Sequence, residues 1–228
     1  LRPPLRTLAA LVASAALVTG CSSADDWSRP HPEPTAVGAL GAGFVDASSS
    51  PVPESTTTPR PGSWTGVHPP KGYRVVLLTT GDDRPTKALV KAVEDWAEAE
   101  HVDLRTVRAE RTSGLLPAIT KALDMGPDLV VSAGNDLIDP LATVTPNHLS
   151  QRFLVVGAEL AEPTYNVTAV DWSGASFRGE GLGMSSTYDP ASFTAARCAA
   201  AIRAGVAAVL HDLTGIVVWL DDVGTPGA

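Results

Sequence analysis

Two neighbouring acids, Asp82 and Asp83, follow the apolar run Arg74 to Thr80, and a third, Asp171, ends another such run. Two carboxyl groups at suitable separation can act as acid and base at a glycosidic bond, and Asp82 with Asp171 is the pair that a hydrolase would use. The same side chains can instead accept hydrogen bonds from sugar hydroxyls, with Trp172 as an aromatic wall beside them. Gly81 and Gly134 carry no Cβ, so their backbone amides can approach a polar ligand closely. Thr80, Asn135 and Glu159 follow strand-like runs in the same way and join the set of candidate ligand contacts. Each residue also suits a plainer role: Asp83 and Asp136 as helix caps, the glycines as turns.

Other chemistries lack their residues. The five histidines, His31, His68, His101, His148 and His211, are scattered with no pair at helical metal-ligand spacing, so no metal is expected. Gly179, Gly181 and Gly183 do not form a dinucleotide fingerprint, because Met184 stands where its third glycine belongs. No cofactor is expected. A serine hydrolase elbow needs Gly-x-Ser-x-Gly, and Ser173 in Trp172-Ser173-Gly174 has neither flanking glycine. Cys198 sits in the alanine-rich run Ala195 to Ala208, where a small buried hydrophobe is expected rather than a nucleophile.

The other cysteine, Cys21, ends a leader-like stretch: Arg2 and Arg6, an apolar segment from Leu8 to Val18, then small Thr19 and Gly20. The apolar segment is too short to span a bilayer. Val18-Thr19-Gly20-Cys21 resembles the lipobox of diacylated bacterial lipoproteins, which implies cleavage before Cys21 and lipid on its sulfur. Residues 1–20 are then a signal peptide, and the expected location is the extracytoplasmic face of the cell membrane. The 228 residues carry 17 bases and 25 acids, and loss of Arg2 and Arg6 leaves 15 bases. An acidic chain without a basic patch excludes nucleic acid as a partner and leaves membrane attachment to acyl chains.

From Ser22 to Gly72 the 51 residues include nine Pro, thirteen Ser or Thr and six Gly. Such composition buries little apolar surface, so residues 21–72 are expected to be a disordered tether, with Trp27, Phe44 and Trp64 solvated along it. Residues 73–228 have the size of one domain. Continuous apolar runs at 74–80, 128–134, 153–157, 167–171 and 216–220, with another strand at 102–107, suit a parallel sheet buried on both faces. Between them lie helical periods: 83–100 with Leu89, Val93 and Trp96 on one face, 113–123 opened by Ser113, and a short helix opened by Asp139-Pro140. The longest is opened by Asp189-Pro190, carries Cys198, Ile202, Val206, Val209 and Leu213 on one face, and is ended by Gly215. The alternation predicts an α/β three-layer sandwich with a mostly parallel sheet.

With those elements in order, 73–220 resembles the first lobe of the basic membrane lipoprotein (BMP) family, type I periplasmic-binding-protein folds that serve ABC importers, several of them for nucleosides. The resemblance rests on Gly81-Asp82-Asp83, Asp128-Leu129-Val130-Val131 ending in Gly134, Gln151-Arg152-Phe153-Leu154-Val155-Val156, Asn166-Val167-Thr168-Ala169-Val170, and Phe177-Arg178-Gly179-Glu180-Gly181. It implies a non-catalytic binder of a nucleoside or sugar-like ligand, with an ABC permease or another envelope protein as partner. Two features depart from the family. Arg84-Pro85-Thr86-Lys87 replaces the stretch in which the family places an aromatic and an amide on the ligand. The sequence also ends at Ala228, before a second lobe, so a single lobe offering half a pocket is expected. If residues 195–220 then expose an apolar face, they would associate with a second copy.

Overall fold

The computed structural model describes residues 27–29, 32–46, 48, 51–110, 112–175, 188–221 and 223. Residues 1–20, Cys21 and the Phe177 to Gly181 motif lie outside the described residues.

Among the described residues seven strands form one sheet in the order β1-β7-β6-β5-β4-β2-β3. They are β1 (Thr56–Thr57), β2 (Arg74–Thr80), β3 (Asp103–Ala109), β4 (Leu129–Ala133), β5 (Arg152–Val156), β6 (Val167–Asp171) and β7 (Val217–Trp219). Every pairing is parallel. The apolar runs are long because both faces are covered, and alternate side chains enter different cores. Val75, Leu77 and Val131 pack with α1 (Arg84–Glu100) and α4 (Ala195–Leu210). Val76, Leu78 and Val130 pack on the opposite face with α2 (Leu115–Asp124) and α3 (Ile138–Val144). This is the three-layer α/β sandwich that the alternation of elements predicts.

Several boundaries differ from expectation. Ser113 does not cap α2; Thr112–Gly114 form a 3-10 turn and Gly114 stands at the cap without a side-chain hydrogen bond. Asp139-Pro140 falls inside the first turn of α3, which begins at Ile138. Asp189 caps only a 3-10 turn, Pro190–Ser192, and α4 starts after Thr194, whose hydroxyl accepts from the Arg197 amide. The reason is Phe193, whose backbone leaves the helical region (φ −78°, ψ 61°) so that its ring is buried against Trp172. The helix ends at Leu210, short of Leu213, and at 16 residues it yields to α1 with 17.

Alanines let α4 lie close to the sheet. A Cβ on Gly205 would come within 2.5 Å of Leu154 Cδ1 and 2.7 Å of Val170 Cγ2. Because α4 is buried there and β7 joins the same sheet beside β6, residues 195–220 do not expose the apolar face on which the expected association with a second copy depended.

The expectation of a solvated tether is also overturned for the described residues between 27 and 72. Trp27, Phe44 and Trp64 are buried. Val37 and His68 form an antiparallel bridge, the Gly41 amide donates to the Ser63 carbonyl at 2.6 Å, and β1 adds to the sheet beside β7. Composition misled because it averages: a few aromatics, each burying about 150–250 Å², can dock a segment whose backbone groups find partners. The segment is a strap. It touches the first residues of three strands, since the Arg74 guanidinium donates to the carbonyls of Trp27 and Arg29, the Trp27 indole donates to Asp103 at 2.6 Å, and Arg152 pairs with Glu33 at 3.4 Å.

Glu100, at the end of α1, ties strap to helices. It bonds His68 of the strap and Arg203 of α4, at 2.8 and 2.7 Å. Partial burial alone would raise its pKa, but these two hydrogen bonds outweigh it and hold the carboxyl below its ordinary value.

Candidate ligand-binding crevice

In an open parallel sheet the chain leaves the first strand in one direction and later returns to its other side, which opens a crevice at the carboxyl ends of the two strands. Here β3 lies on one side of β2 and β4 on the other, so the crevice falls between the ends of β2 and β4. Its walls are the start of α1 and the turns after β4 and β5.

At the end of β2, Thr80 is buried and its hydroxyl donates to the Ala109 carbonyl at 3.0 Å, joining the ends of two strands. Gly81 (φ 79°) and Asp82 form an exposed turn, and the Arg108 guanidinium holds the Gly81 carbonyl at 2.8 Å. Asp83 is the N-cap of α1. Its two oxygens accept from the Thr86 amide at 2.9 Å and the Thr86 hydroxyl at 2.8 Å, so this carboxylate is engaged in capping while it lines the crevice.

At the end of β4, Gly134 (φ 126°) and Asn135 line the crevice, the latter opening a 3-10 turn, Asn135–Leu137. Glycine is required at 134: a Cβ there would sit 2.6 Å from the Thr80 carbonyl oxygen, in a backbone conformation that side chains disfavour. One residue before Ala133, Ser132 lines the same space. Its hydroxyl is buried and has no hydrogen-bond partner among the described residues. A buried unpaired hydroxyl costs about 1–3 kcal/mol, so a group that pairs it is favoured.

The far wall is aromatic. Phe193 stands edge-on to Trp172, ring centroids 5.0 Å apart, and Tyr188 stacks edge-on to Phe193 at 6.2 Å. Phe193 fills the space over Gly157 (φ 74°), where a Cβ would meet its ring at 2.5 Å. Burial, and then the nearby Asp83 carboxylate, push the Tyr188 phenol above its usual pKa and keep it neutral. Between these walls the cavity volume is about 40 Å³.

Of the candidate contacts, Asp83, Gly134 and Asn135 line the crevice, with Thr80 packed directly beneath Gly134. Glu159, Asp171 and Trp172 do not line it. Asp171 is fully buried and accepts from the Trp172 amide at 2.8 Å, and Trp172 belongs to the core, its indole donating to Ser192 at 3.0 Å. Trp172 is therefore a support for Phe193 and not an open wall. Sequence reasoning missed Thr86, Ser132, Tyr188 and Phe193. Ser132 left a signal, as the one hydroxyl in the apolar run Leu129 to Ala133; the two aromatics follow a glycine-rich stretch and left none.

The arrangement suits binding by hydrogen bonds. Among the described residues Ser132 has no base in hydrogen-bonding reach, which a serine nucleophile needs. The pair needed for glycosidic chemistry is not assembled in the crevice, since neither Asp82 nor Asp171 lines it. Burial pushes the Cys198 thiol up to about 11, as befits a core side chain. Among the described residues no group of three His, Cys, Asp or Glu could hold a metal ion, and no helix is long and apolar enough to cross a membrane.

No known protein-family profile matches the chain, and no curated protein matches it. Among solved structures, an ABC transporter solute-binding protein from Aeropyrum pernix is similar at 20% identity over 44% of this chain and 29% of that one, with a TM-score of 0.40. Another, from Conexibacter woesei, is similar at 21% identity over 44% of this chain and 35% of that one, with a TM-score of 0.38. A putative lipoprotein fragment from Peptoclostridium difficile is similar at 14% identity over 62% of this chain and 99% of that one, with a TM-score of 0.43. The chain thus spans about a third of the length of the two solute-binding proteins. These likenesses are distant and concern the architecture of sheet and helices.

Proposed function

We propose that this chain is a lipid-anchored, extracytoplasmic binding domain that captures a small polar ligand at the β2/β4 crevice without catalysing its conversion. The observation that carries the ligand-binding part is the Ser132 hydroxyl, buried, unpartnered and facing a crevice at the strand-order switch point, with Asn135 and Gly134 beside it. The start of α1 borders the same space, so its amide dipoles favour an electron-rich group there. The anchoring part is carried by the leader that ends at Cys21.

A space of about 40 Å³ holds no more than a water or two, whereas small-molecule pockets occupy about 300–1,000 Å³. A nucleoside or sugar therefore enters only as Tyr188 and Phe193 swing away from Gly157. An ABC permease, or another envelope protein, is the partner that such a domain would serve.

Thermal unfolding with a panel of nucleosides and monosaccharides tests the binding reading. A true ligand at about a hundredfold its Kd stabilises by about 2.7 kcal/mol, and Ser132→Ala weakens that shift. Absence of any shift across the panel rejects the small-ligand reading and leaves a surface for an envelope protein. Mass spectrometry of the mature amino terminus tests the anchor: a diacylglyceryl group on Cys21 is expected, and an unprocessed leader rejects it.

A further inference from the structure

We infer that the domain lies with the amino ends of its strands against the bilayer, so that the β2/β4 crevice opens away from the membrane. This rests on the anchoring of Cys21 proposed above, and it assigns a lipid surface to one end of the fold. Two independent observations place it there.

The first is the strap. Because Trp27 is docked at the starts of β2 and β3, only five residues lie between Cys21 and a fixed point on the domain, a reach of about 20 Å even when fully extended. A 51-residue solvated tether would have allowed any orientation. A five-residue one keeps this end close to the membrane, with the crevice at the other end of strands that are themselves about 20 Å long.

The second is the distribution of exposed apolar side chains. Among the described residues five large ones are exposed. Val52 (63%), Leu149 (41%) and Tyr165 (56%) lie in the turns that enter β1, β5 and β6, all at the amino ends of the strands. Val37, bridged to His68 beside the last turn of α1, lies at the same end. Only Leu116, in the first turn of α2, is at the opposite end. Apolar and Tyr side chains gathered on one rim suit the headgroup boundary of a bilayer, where a tyrosine ring is buried and its hydroxyl stays wet. The rim carries acids, Glu54 and Asp212, beside bases, Lys71 and Arg29, so the contact does not call for anionic lipid.

The test uses the full lipidated chain on phosphatidylcholine vesicles that carry a headgroup quencher. Tyr165→Cys, Leu149→Cys and Leu116→Cys are each labelled with a fluorescent maleimide; Cys198 is fully buried and takes no label. All three are surface positions, so folding is preserved. Quenching several-fold stronger at 165 and 149 than at 116, unchanged when anionic lipid is added, is the expected result. Equal quenching at the three positions on vesicle-bound, lipidated protein overturns the orientation and leaves the anchor standing. An unlipidated Cys21 in the mass spectrum overturns both readings at once.

Discussion

At the amino ends of the strands the sheet is crossed by a strap poor in aliphatic residues and fastened by single large side chains. At the carboxyl ends it is closed by the segment that precedes α4, through Phe193 packed over Gly157 and Tyr188 set against Phe193. The strap depends on Trp27, Phe44 and Trp64, with Val67 and the half-buried Leu40 and Val45 as smaller contacts. The crevice is walled by redundantly packed elements, yet it retains an unpaired hydroxyl and close backbone approaches. On the proposed reading, stability and binding reside at opposite ends, so substitutions at the two ends should separate them.

The largest effect is expected at the strap. Trp64→Ala should cost about 3–5 kcal/mol in urea unfolding, with one cooperative transition, because the ring is buried in the core shared by α1 and α4. A change below about 0.5 kcal/mol would mean that the strap is solvated after all. Next comes the tie between strap and helices. Glu100→Gln should cost about 2 kcal/mol by weakening two charge-assisted bonds. Since the folded pKa of Glu100 is depressed, its contribution is complete above the ordinary carboxylate pKa and is lost as pH falls through the lower folded value. Urea midpoints of the wild type should therefore fall more steeply with acid than those of the Gln variant; parallel profiles would remove Glu100 from the account.

A smaller cost is expected at the crevice. Gly157→Ala drives a methyl group into the Phe193 ring at a positive φ, and about 1–3 kcal/mol should be lost together with the near-ultraviolet dichroism of the Trp172–Phe193 pair. An unchanged aromatic spectrum would show that Phe193 is not held there. Least destabilising of all, Ser132→Ala should cost no stability and should add about 1 kcal/mol or more, since it removes a buried hydroxyl that has no partner among the described residues. Its effect should appear in ligand-induced stabilisation. A Ser132→Ala variant that destabilises strongly while leaving ligand shifts intact would reverse the contrast between the two ends.

Much of the sheet was legible because β2, β4, β5 and β6 are buried on both faces, and that burial writes itself as continuous Val and Leu runs bounded by Gly and Asp. α1 was legible through Asp83 and the spacing of Leu89, Val93 and Trp96. The start of α4 was not, because a single long-range contact, Phe193 on Trp172, outweighs the local preference of Asp189-Pro190 to begin a helix. In the crevice, the turn residues Asp83, Gly134 and Asn135 could be placed by the switch-point rule. Asp171 and Trp172 satisfied the same rule but point into the core, and the facing of a strand's last residues depends on the pleat and on what packs above it.

Local chain chemistry by itself determined the layer architecture and the parallel direction of the strands, since periodicity and apolar runs act over a few residues. Only tertiary structure decided that Trp27, Phe44 and Trp64 bind the described residues between 27 and 72 to the sheet, that Phe193 closes the crevice and that Ser132 faces it. Those outcomes depend on contacts between segments far apart in sequence, such as Trp27 with Asp103, whose energies no local pattern encodes.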